Sequence, residues 1–235
     1  MKIISAIVTA CLLMACEKPQ DNIMTTTVTP VVAGTSHTYL ALGDSYTIGE
    51  SVEQNQSFPF QLATKLSNDG ISVSTPKVIA RTGWTTGELQ SAIQAADLKG
   101  TYDIVTLLIG VNNQYRGMSS EAYKTDFKAL LQTAITFAGG KKNHVFVVSI
   151  PDWGLTPYGA MSGRSQSVIT AEINRFNAIN KEETTMMGIS YTDITPGSRA
   201  VVTDQTLVAS DGLHPSGKMY ANWTEALFPA VKAIF

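Results

Sequence analysis

Five short runs of mostly apolar, β-forming residues alternate with segments of helical period, and this alternation constrains the fold more than any other feature of the sequence. The runs lie at residues 39–42, 73–79, 104–109, 145–150 and 189–194. Several of them are apolar at successive positions, which is typical of parallel strands covered on both faces. Strands that alternate with helices build parallel sheets with helices on either side. We therefore expect an α/β fold, a three-layer α/β/α sandwich around a five-stranded parallel sheet.

The segments between the strands carry clear helix signals. Thr85-x-x-Glu88 is a capping box, in which each side chain caps the backbone N–H of the other residue. The Gly139-Gly140 pair is a typical helix stop, and Pro229 predicts a kink or a restart in the last helix. The expected apolar helix faces are Leu89 and Ile93; Tyr123, Phe127, Leu130, Leu131, Ala134 and Ala138; Ile169, Ile173 and Phe176; and Tyr220, Trp223, Leu227 and Ile234.

The amino terminus predicts export. Lys2 precedes an apolar run at residues 3–15 that is too short for a membrane-spanning helix and is typical of a signal peptide. The run ends in Leu13-Met14-Ala15-Cys16, which resembles a bacterial lipobox, so we expect lipidation of Cys16. An ordinary cleavable signal or a short apolar helix is the alternative. Acyl chains on Cys16 would hold the protein on a membrane.

These features divide the chain into three expected parts: a lipoprotein signal peptide at 1–15, a flexible tether at 16–36 and a folded domain at 37–235. The expected location is the bacterial cell envelope. Glu17 stands where an Asp marks retention in the inner membrane, which favours the outer membrane. Acylation of Cys16 would leave the mature chain without a free thiol, because the other cysteine, Cys11, lies in the signal peptide.

Charge and residue counts exclude several classes of function. Seventeen Lys and Arg against nineteen Asp and Glu leave a net charge of −2, so we expect no nucleic-acid partner. Three His and two Cys are too few for a conventional structural zinc site, and we expect no metal. Glycine-rich nucleotide-binding motifs do not occur in the sequence, and we expect no cofactor.

Four polar motifs follow predicted strands or lie in the last loop, which is where ligands bind in parallel α/β sheets. Ser45 ends Gly43-Asp44-Ser45 after the first strand, and Gly83 lies in Arg81-Thr82-Gly83-Trp84 after the second. Asn112 lies in Gly110-Val111-Asn112-Asn113 after the third strand, and His214 in Asp211-Gly212-Leu213-His214-Pro215 after the fifth. Because the carboxyl ends of parallel strands share one edge, we expect Ser45, Gly83, Asn112 and His214 to converge.

The placement of the histidines selects a base for Ser45. A serine hydroxyl becomes nucleophilic when a base takes its proton, and histidine titrates in the suitable range. His37 precedes the first strand and His144 opens the fourth, so both belong at the opposite edge of the sheet. His214 is therefore the candidate base. Asp211, three residues earlier, can accept its Nδ1 proton and fix the tautomer; losing such an Asp costs serine proteases about 10⁴ in rate.

Together the motifs resemble those of the SGNH/GDSL hydrolases, a superfamily of serine esterases and lipases, over about residues 38–230. Its four blocks place a Ser in G-D-S, a Gly after the second strand, an Asn in G-x-N-D and a His in D-x-x-H. The resemblance implies a flavodoxin-like sandwich and a catalytic triad of Ser45, Asp211 and His214. The expected oxyanion hole comprises the backbone N–H groups of Ser45 and Gly83 and the side chain of Asn112.

The chain departs from this pattern at two positions. Tyr46 stands where G-D-S-L has Leu, and Asn113 replaces the Asp of G-x-N-D. Each motif alone has an ordinary interpretation, since Gly-Asp-Ser and Asp-Gly are common in turns and loop asparagines often satisfy backbone groups. The order of all four motifs favours the enzyme over its rival, a non-catalytic binding module on the same fold.

Aromatic residues in the same loops are candidates for substrate binding. Trp84 and Trp153 are the main candidates; Tyr115, Arg116 and Tyr158 are weaker ones, and any of them could instead pack over the core. Short loops between elements leave little material for a lid, which favours small acyl groups such as acetyl on carbohydrates. A lysophospholipase or thioesterase is the alternative. The oligomeric state stays open.

Overall fold

The computed structural model describes residues 36–235. The predicted signal peptide, the lipidation site Cys16 and all but the last residue of the predicted tether lie outside the described residues. Within residues 36–235, no helix has both the length and the apolar character needed to span a membrane.

A five-stranded parallel sheet forms the centre of the fold, which confirms the predicted α/β sandwich. The strands are β1 (Tyr39–Gly43), β2 (Lys77–Ala80), β3 (Ile104–Leu108), β4 (Val145–Val148) and β5 (Ser190–Thr192), in the order β2-β1-β3-β4-β5. β1 pairs Gly43 with Ala80 on one side and with Leu108 on the other. The residues of β1, β3 and β4 are all buried, whereas the edge strands β2 and β5 are partly exposed.

Two edge strands are shorter than the sequence predicts. The second strand was expected at 73–79, but β2 begins at Lys77, and Val73 makes only an isolated bridge to His37. Pro76, which has no N–H to donate, separates the two pairings. The fifth strand was expected at 189–194 and ends at Thr192, because the Asp193 carboxylate accepts the N–H of Thr195 and starts the next helix.

Nine helices surround the sheet in the described part of the chain. They are α1 (Ser45–Ile48), α2 (Phe58–Asn68), α3 (Thr86–Ala96), α4 (Val111–Tyr115), α5 (Ser120–Phe137), α6 (Pro157–Met161), α7 (Gln166–Met186), α8 (Thr195–Ser198) and α9 (Gly217–Lys232). The predicted capping box starts α3: Thr85 Oγ1 accepts the N–H of Glu88, and the Glu88 carboxylate accepts that of Thr85. The predicted restart at Pro229 is wrong, because buried Leu227 and Val231 anchor α9 on both sides of it.

The long helices form two layers. α2 packs against α9, while α5 packs against both α3 and α7. Right-handed crossovers place helices on opposite faces when the chain reverses its direction along the sheet, and this chain runs from β1 outward to β2 and then back past β1 to β3. The crossover helix α2 therefore lies on one face, and α3, α5 and α7 lie on the other.

Buried Asn113, in α4, links that helix to the start of α3 at the carboxyl edge of the sheet. Its Oδ1 accepts the N–H of Thr86 at 3.0 Å, and its Nδ2 donates to Thr86 Oγ1 at 2.7 Å. Thr86 Oγ1 in turn donates its single proton to Asp126 Oδ2 at 3.0 Å. Position 113 must therefore donate to the hydroxyl, which an amide does and a carboxylate does not. This explains why Asn113 stands where the G-x-N-D motif has Asp.

We expect Asn113→Asp to lower the free energy of unfolding by about 1–3 kcal/mol at pH 7, because two carboxylates would then compete for the one proton of Thr86. Urea denaturation measures the loss.

The double variant Asn113→Asp/Asp126→Asn exchanges the two groups and is the matched control. Thr86 can then donate to residue 113 and accept from residue 126, so the stability should return to within about 1 kcal/mol of the wild type. Asp126→Asn alone supplies the second single-variant loss of stability. If the losses of Asn113→Asp and Asp126→Asn simply add in the double variant, the Thr86 hydroxyl does not link these side chains.

Candidate active site

Ser45 and His214 meet at the carboxyl edge of the sheet. Ser45 is the first residue of α1, directly after β1 and its N-cap Asp44. Its Oγ lies 3.0 Å from Nε2 of His214, although the two residues are 169 positions apart in the sequence. Both residues are buried, with 4% and 8% of their surface exposed. The imidazole is therefore in hydrogen-bond contact with the hydroxyl that the sequence selects as the nucleophile.

Asp211 orients the imidazole. Its Oδ2 accepts the Nδ1 proton of His214 at 2.6 Å, while its Oδ1 accepts the N–H groups of Leu213 and His214, each at 2.9 Å. Partial burial raises the pKa of Asp211, but hydrogen bonds from His214, Leu213 and Ser51 outweigh it and hold that pKa well below its usual range. The carboxylate is thus ionised at neutral pH. With the proton on Nδ1, His214 presents the lone pair of Nε2 to Ser45.

The other two histidines lie at the opposite edge. His144 Nδ1 donates to the backbone oxygen of Asp103 at 2.7 Å, and His37 Nδ1 lies 3.8 Å from the Asp103 carboxylate. Asp103 immediately precedes β3 and marks the amino-terminal edge. The structure therefore keeps both rings on the far side of the sheet from Ser45.

Gly83 and Asn112 line the same cleft as Ser45 and His214. Gly83 has φ of +86°, which favours glycine, and an added Cβ would have Arg116 at 3.8 Å as its nearest neighbour. The backbone conformation, rather than lack of space, thus accounts for this glycine. Arg116 holds the turn by donating to the Gly83 carbonyl at 2.6 Å.

Three N–H donors are available at the cleft. Asn112 Nδ2 donates one of its two protons to the Trp84 carbonyl at 2.9 Å. This hydrogen bond orients the amide, and the second proton stays available to a ligand. The backbone N–H groups of Ser45 and Gly83 have no acceptor among the hydrogen bonds of residues 36–235. Unpaired donors of this kind can bind an oxygen that carries negative charge.

Asp44 directly precedes the nucleophile, and its complete burial is a feature that the sequence does not predict. Its Oδ1 accepts the N–H of Tyr46 at 3.0 Å, while Oδ2 is buried and has no hydrogen-bond partner within the described region. Burial raises the pKa of Asp44 to about 7. Near neutral pH this carboxyl therefore changes between its protonated and ionised forms.

The cleft holds about 180 Å³ and has an aromatic wall of Tyr115, Trp153 and Tyr158. Trp153 is buried, and its Nε1 donates to Gln114 Oε1 at 2.8 Å. The hydroxyls of Tyr115 and Tyr158 lie 3.2 Å apart, and both rings are exposed. Of the two predicted substrate-binding tryptophans, Trp153 lines the cleft, whereas Trp84 packs against the hydrophobic core.

Residues 36–235 contain no group of three or more His, Cys, Asp or Glu side chains arranged to hold a metal ion.

Solved structures share this fold at low sequence identity. TesA has a TM-score of 0.64 and 17% identity, with 85% of this chain and 100% of that chain covered. A lipase/acylhydrolase from Enterococcus faecalis has a TM-score of 0.63 and 17% identity, with 84% and 96% covered. Axe2, an acetylxylan esterase from Geobacillus stearothermophilus, has a TM-score of 0.64 and 14% identity, with 84% and 95% covered.

No curated protein matches the chain by sequence. The GDSL-like lipase/acylhydrolase family, in contrast, matches residues 41–221, which include all four motifs of the cleft and most of the chain. The chain therefore belongs to the GDSL-like lipase/acylhydrolase family, and it is a carboxylic ester hydrolase.

Proposed function

We propose that the protein hydrolyses short-chain carboxylic esters through an acyl-enzyme on Ser45. The observation that carries this proposal is the continuous hydrogen-bonded chain from Ser45 Oγ through His214 to the Asp211 carboxylate, at 3.0 and 2.6 Å. Ser45 and His214 line the same cleft as Gly83 and Asn112. A nucleophile, a base and donors for an oxyanion are the groups that acyl transfer requires.

In the first half-reaction Ser45 Oγ bonds to the ester carbonyl carbon while His214 Nε2 takes the hydroxyl proton. The tetrahedral intermediate collapses, the bond to the alcohol oxygen breaks, and the imidazolium returns the proton to that oxygen. In the second half-reaction a water oxygen bonds to the acyl carbon while His214 Nε2 takes a water proton. The bond to Ser45 Oγ then breaks, the imidazolium returns the proton to Ser45, and the acid is released. Asp211 stabilises the imidazolium in both halves because its carboxylate stays ionised at neutral pH.

The negative oxygen of each intermediate would be held by the N–H groups of Ser45 and Gly83 and by Asn112 Nδ2. Two observations support this role: these backbone N–H groups have no other acceptor in residues 36–235, and the Asn112 amide is oriented by the Trp84 carbonyl. In other enzymes the loss of one such donor costs about 2.7–4 kcal/mol of transition-state stabilisation.

The proposed substrates carry small acyl groups, such as acetyl on a carbohydrate. A volume of about 180 Å³ is less than the roughly 300 Å³ or more of a typical small-molecule pocket. Most of a palmitoyl chain would lie outside such a cleft. The exposed rings of Tyr115 and Tyr158 offer apolar surface beside it, on which the apolar face of a sugar can pack.

We expect Ser45→Ala to lower kcat for 4-nitrophenyl acetate by a factor on the order of 10⁴–10⁶, because the acyl-enzyme can no longer form. A fluorophosphonate probe should label the wild type and leave the variant unlabelled.

Ser91→Ala is the matched control, since Ser91 is an exposed serine on α3 that donates only to the Gly87 carbonyl. It should retain wild-type activity. If Ser45→Ala keeps the activity and the label, Ser45 is not the nucleophile; if only the label is lost while hydrolysis persists, the ester is cut elsewhere.

The size of the cleft predicts the acyl preference. On a panel of 4-nitrophenyl acetate, butyrate and palmitate, we expect kcat/KM for the palmitate to be lower than for the acetate by at least about tenfold, a difference of ~1.4 kcal/mol. Acetylated monosaccharides, a lysophospholipid and an acyl thioester complete the panel. A clear palmitoyl, lysophospholipid or thioester preference would assign the protein to the lipid or thioester hydrolases instead.

We further propose that Cys16 anchors the enzyme to the bacterial cell envelope, with the outer membrane preferred. The support is in the sequence: an apolar run that ends in Leu13-Met14-Ala15 directly before Cys16. Two or more acyl chains give stable attachment where a single chain does not.

Cys16→Ser should abolish incorporation of radiolabelled palmitate in cells and move the protein from the membrane fraction to the soluble fraction. Cys11→Ser is the control and should leave both unchanged, because Cys11 lies within the predicted signal peptide. Absence of label from the wild-type protein would refute the anchor.

A further inference from the structure

Ser51 has a strained backbone close to the catalytic side chains. Its φ is +66°, a region that residues other than glycine adopt rarely, and in residues 36–235 only one other such residue, Asp97, has a positive φ. Strained conformations of this kind persist where the surrounding structure imposes them, and they concentrate at functional sites.

Contacts on both sides hold Ser51 in place. The N–H of Glu50 donates to the Ser45 carbonyl at 3.1 Å, and the N–H of Val52 donates to the Gly49 carbonyl at 3.2 Å. The Glu50 carboxylate accepts the hydroxyl of Thr82, next to Gly83, and Val52 packs against the core. The loop at residues 49–52 is thus tied to the helix of the nucleophile. The surrounding contacts, rather than fraying of the helix end, impose the strained conformation.

The strained conformation accompanies one specific contact. Ser51 Oγ donates to Asp211 Oδ2 at 2.7 Å, the same oxygen that receives the Nδ1 proton of His214 at 2.6 Å. The other carboxylate oxygen is held by N–H groups of the Asp211 loop itself. Among the hydrogen bonds of the described residues, Ser51 is the donor to Asp211 that comes from outside this loop.

We propose that Ser51 is a positioning residue for Asp211, and that its hydroxyl ties the acid–base loop to the loop that follows the nucleophile. The Asp211 side chain is 30% exposed, so water would compete for Oδ2 if the serine hydroxyl were absent. Ser51 keeps this oxygen aligned with Nδ1 of His214, and through the imidazole it keeps Nε2 aligned with Ser45. The inference rests on the proposed function only in assigning His214 the role of base.

Ser51→Gly tests the proposal because it removes the hydroxyl and relieves the backbone strain together. We expect an equal or higher Tm, but a kcat on 4-nitrophenyl acetate that is lower by about five- to tenfold with KM within about twofold of the wild type; tenfold corresponds to ~1.4 kcal/mol. If Ser51 had only a structural role, the variant would not lose kcat while keeping its Tm.

Two further variants separate the hydroxyl from the backbone. Ser51→Ala keeps the strain and loses the hydroxyl, so it should lose as much kcat as Ser51→Gly does. Asp97→Gly relieves the other strained position, at the C-cap of α3, and should leave kcat unchanged. If Ser51→Gly alone loses activity, loop flexibility is the cause and the proposal fails.

The far-downfield proton NMR resonance of His214 Nδ1–H gives a readout that needs no substrate. We expect it to shift or broaden in Ser51→Gly and in Ser51→Ala, and to stay as in the wild type in Asp97→Gly. If no ester is hydrolysed but the resonance responds, the proposed function fails and the role of Ser51 stands. If esters are hydrolysed and neither kcat nor the resonance changes, Ser51 does not position Asp211.

Discussion

The position of β1 between β2 and β3 in the parallel sheet determines where the reactive side chains can lie. Gly43, the last residue of β1, is paired with Ala80 of β2 and with Leu108 of β3, so the loops after all three strands begin at one level. The chain leaves β1 in one direction and later returns past it to β3. At such a switch point the loops after the two strands diverge toward opposite faces and leave a crevice between them. Ser45 and Asn112 line this crevice from its two sides.

Much of this arrangement could be predicted from the sequence because it depends on local patterns and on one rule of topology. Continuous apolar runs predict the buried strands, and the Thr85–Glu88 spacing predicts the start of α3. The two edges of a parallel sheet are enough to single out His214, because His37 and His144 precede strands, whereas His214 follows the last one. Contact between residues 169 positions apart is thus predictable without any long-range signal in the sequence.

Other features depend on three-dimensional partners that the sequence does not reveal. Asn113 departs from a motif, and the reason is visible only in the structure. Asp126, on another helix, accepts the hydrogen bond from the Thr86 hydroxyl, so Asn113 must donate to that hydroxyl. Trp84 and Trp153 look equivalent in sequence, but Trp153 is held at the cleft by Gln114. Ser51 has no motif at all, because its importance depends on a backbone angle and on a contact across 160 residues.

The distance along the chain between nucleophile and base also affects when the enzyme becomes active. Ser45 emerges early in synthesis, but its hydroxyl has its proton acceptor only after residues 211–214 have been made and placed against it. A chain whose carboxy-terminal loop has not yet folded therefore carries an inert serine. Esterase activity thus depends on completion of the fold at its carboxy-terminal end.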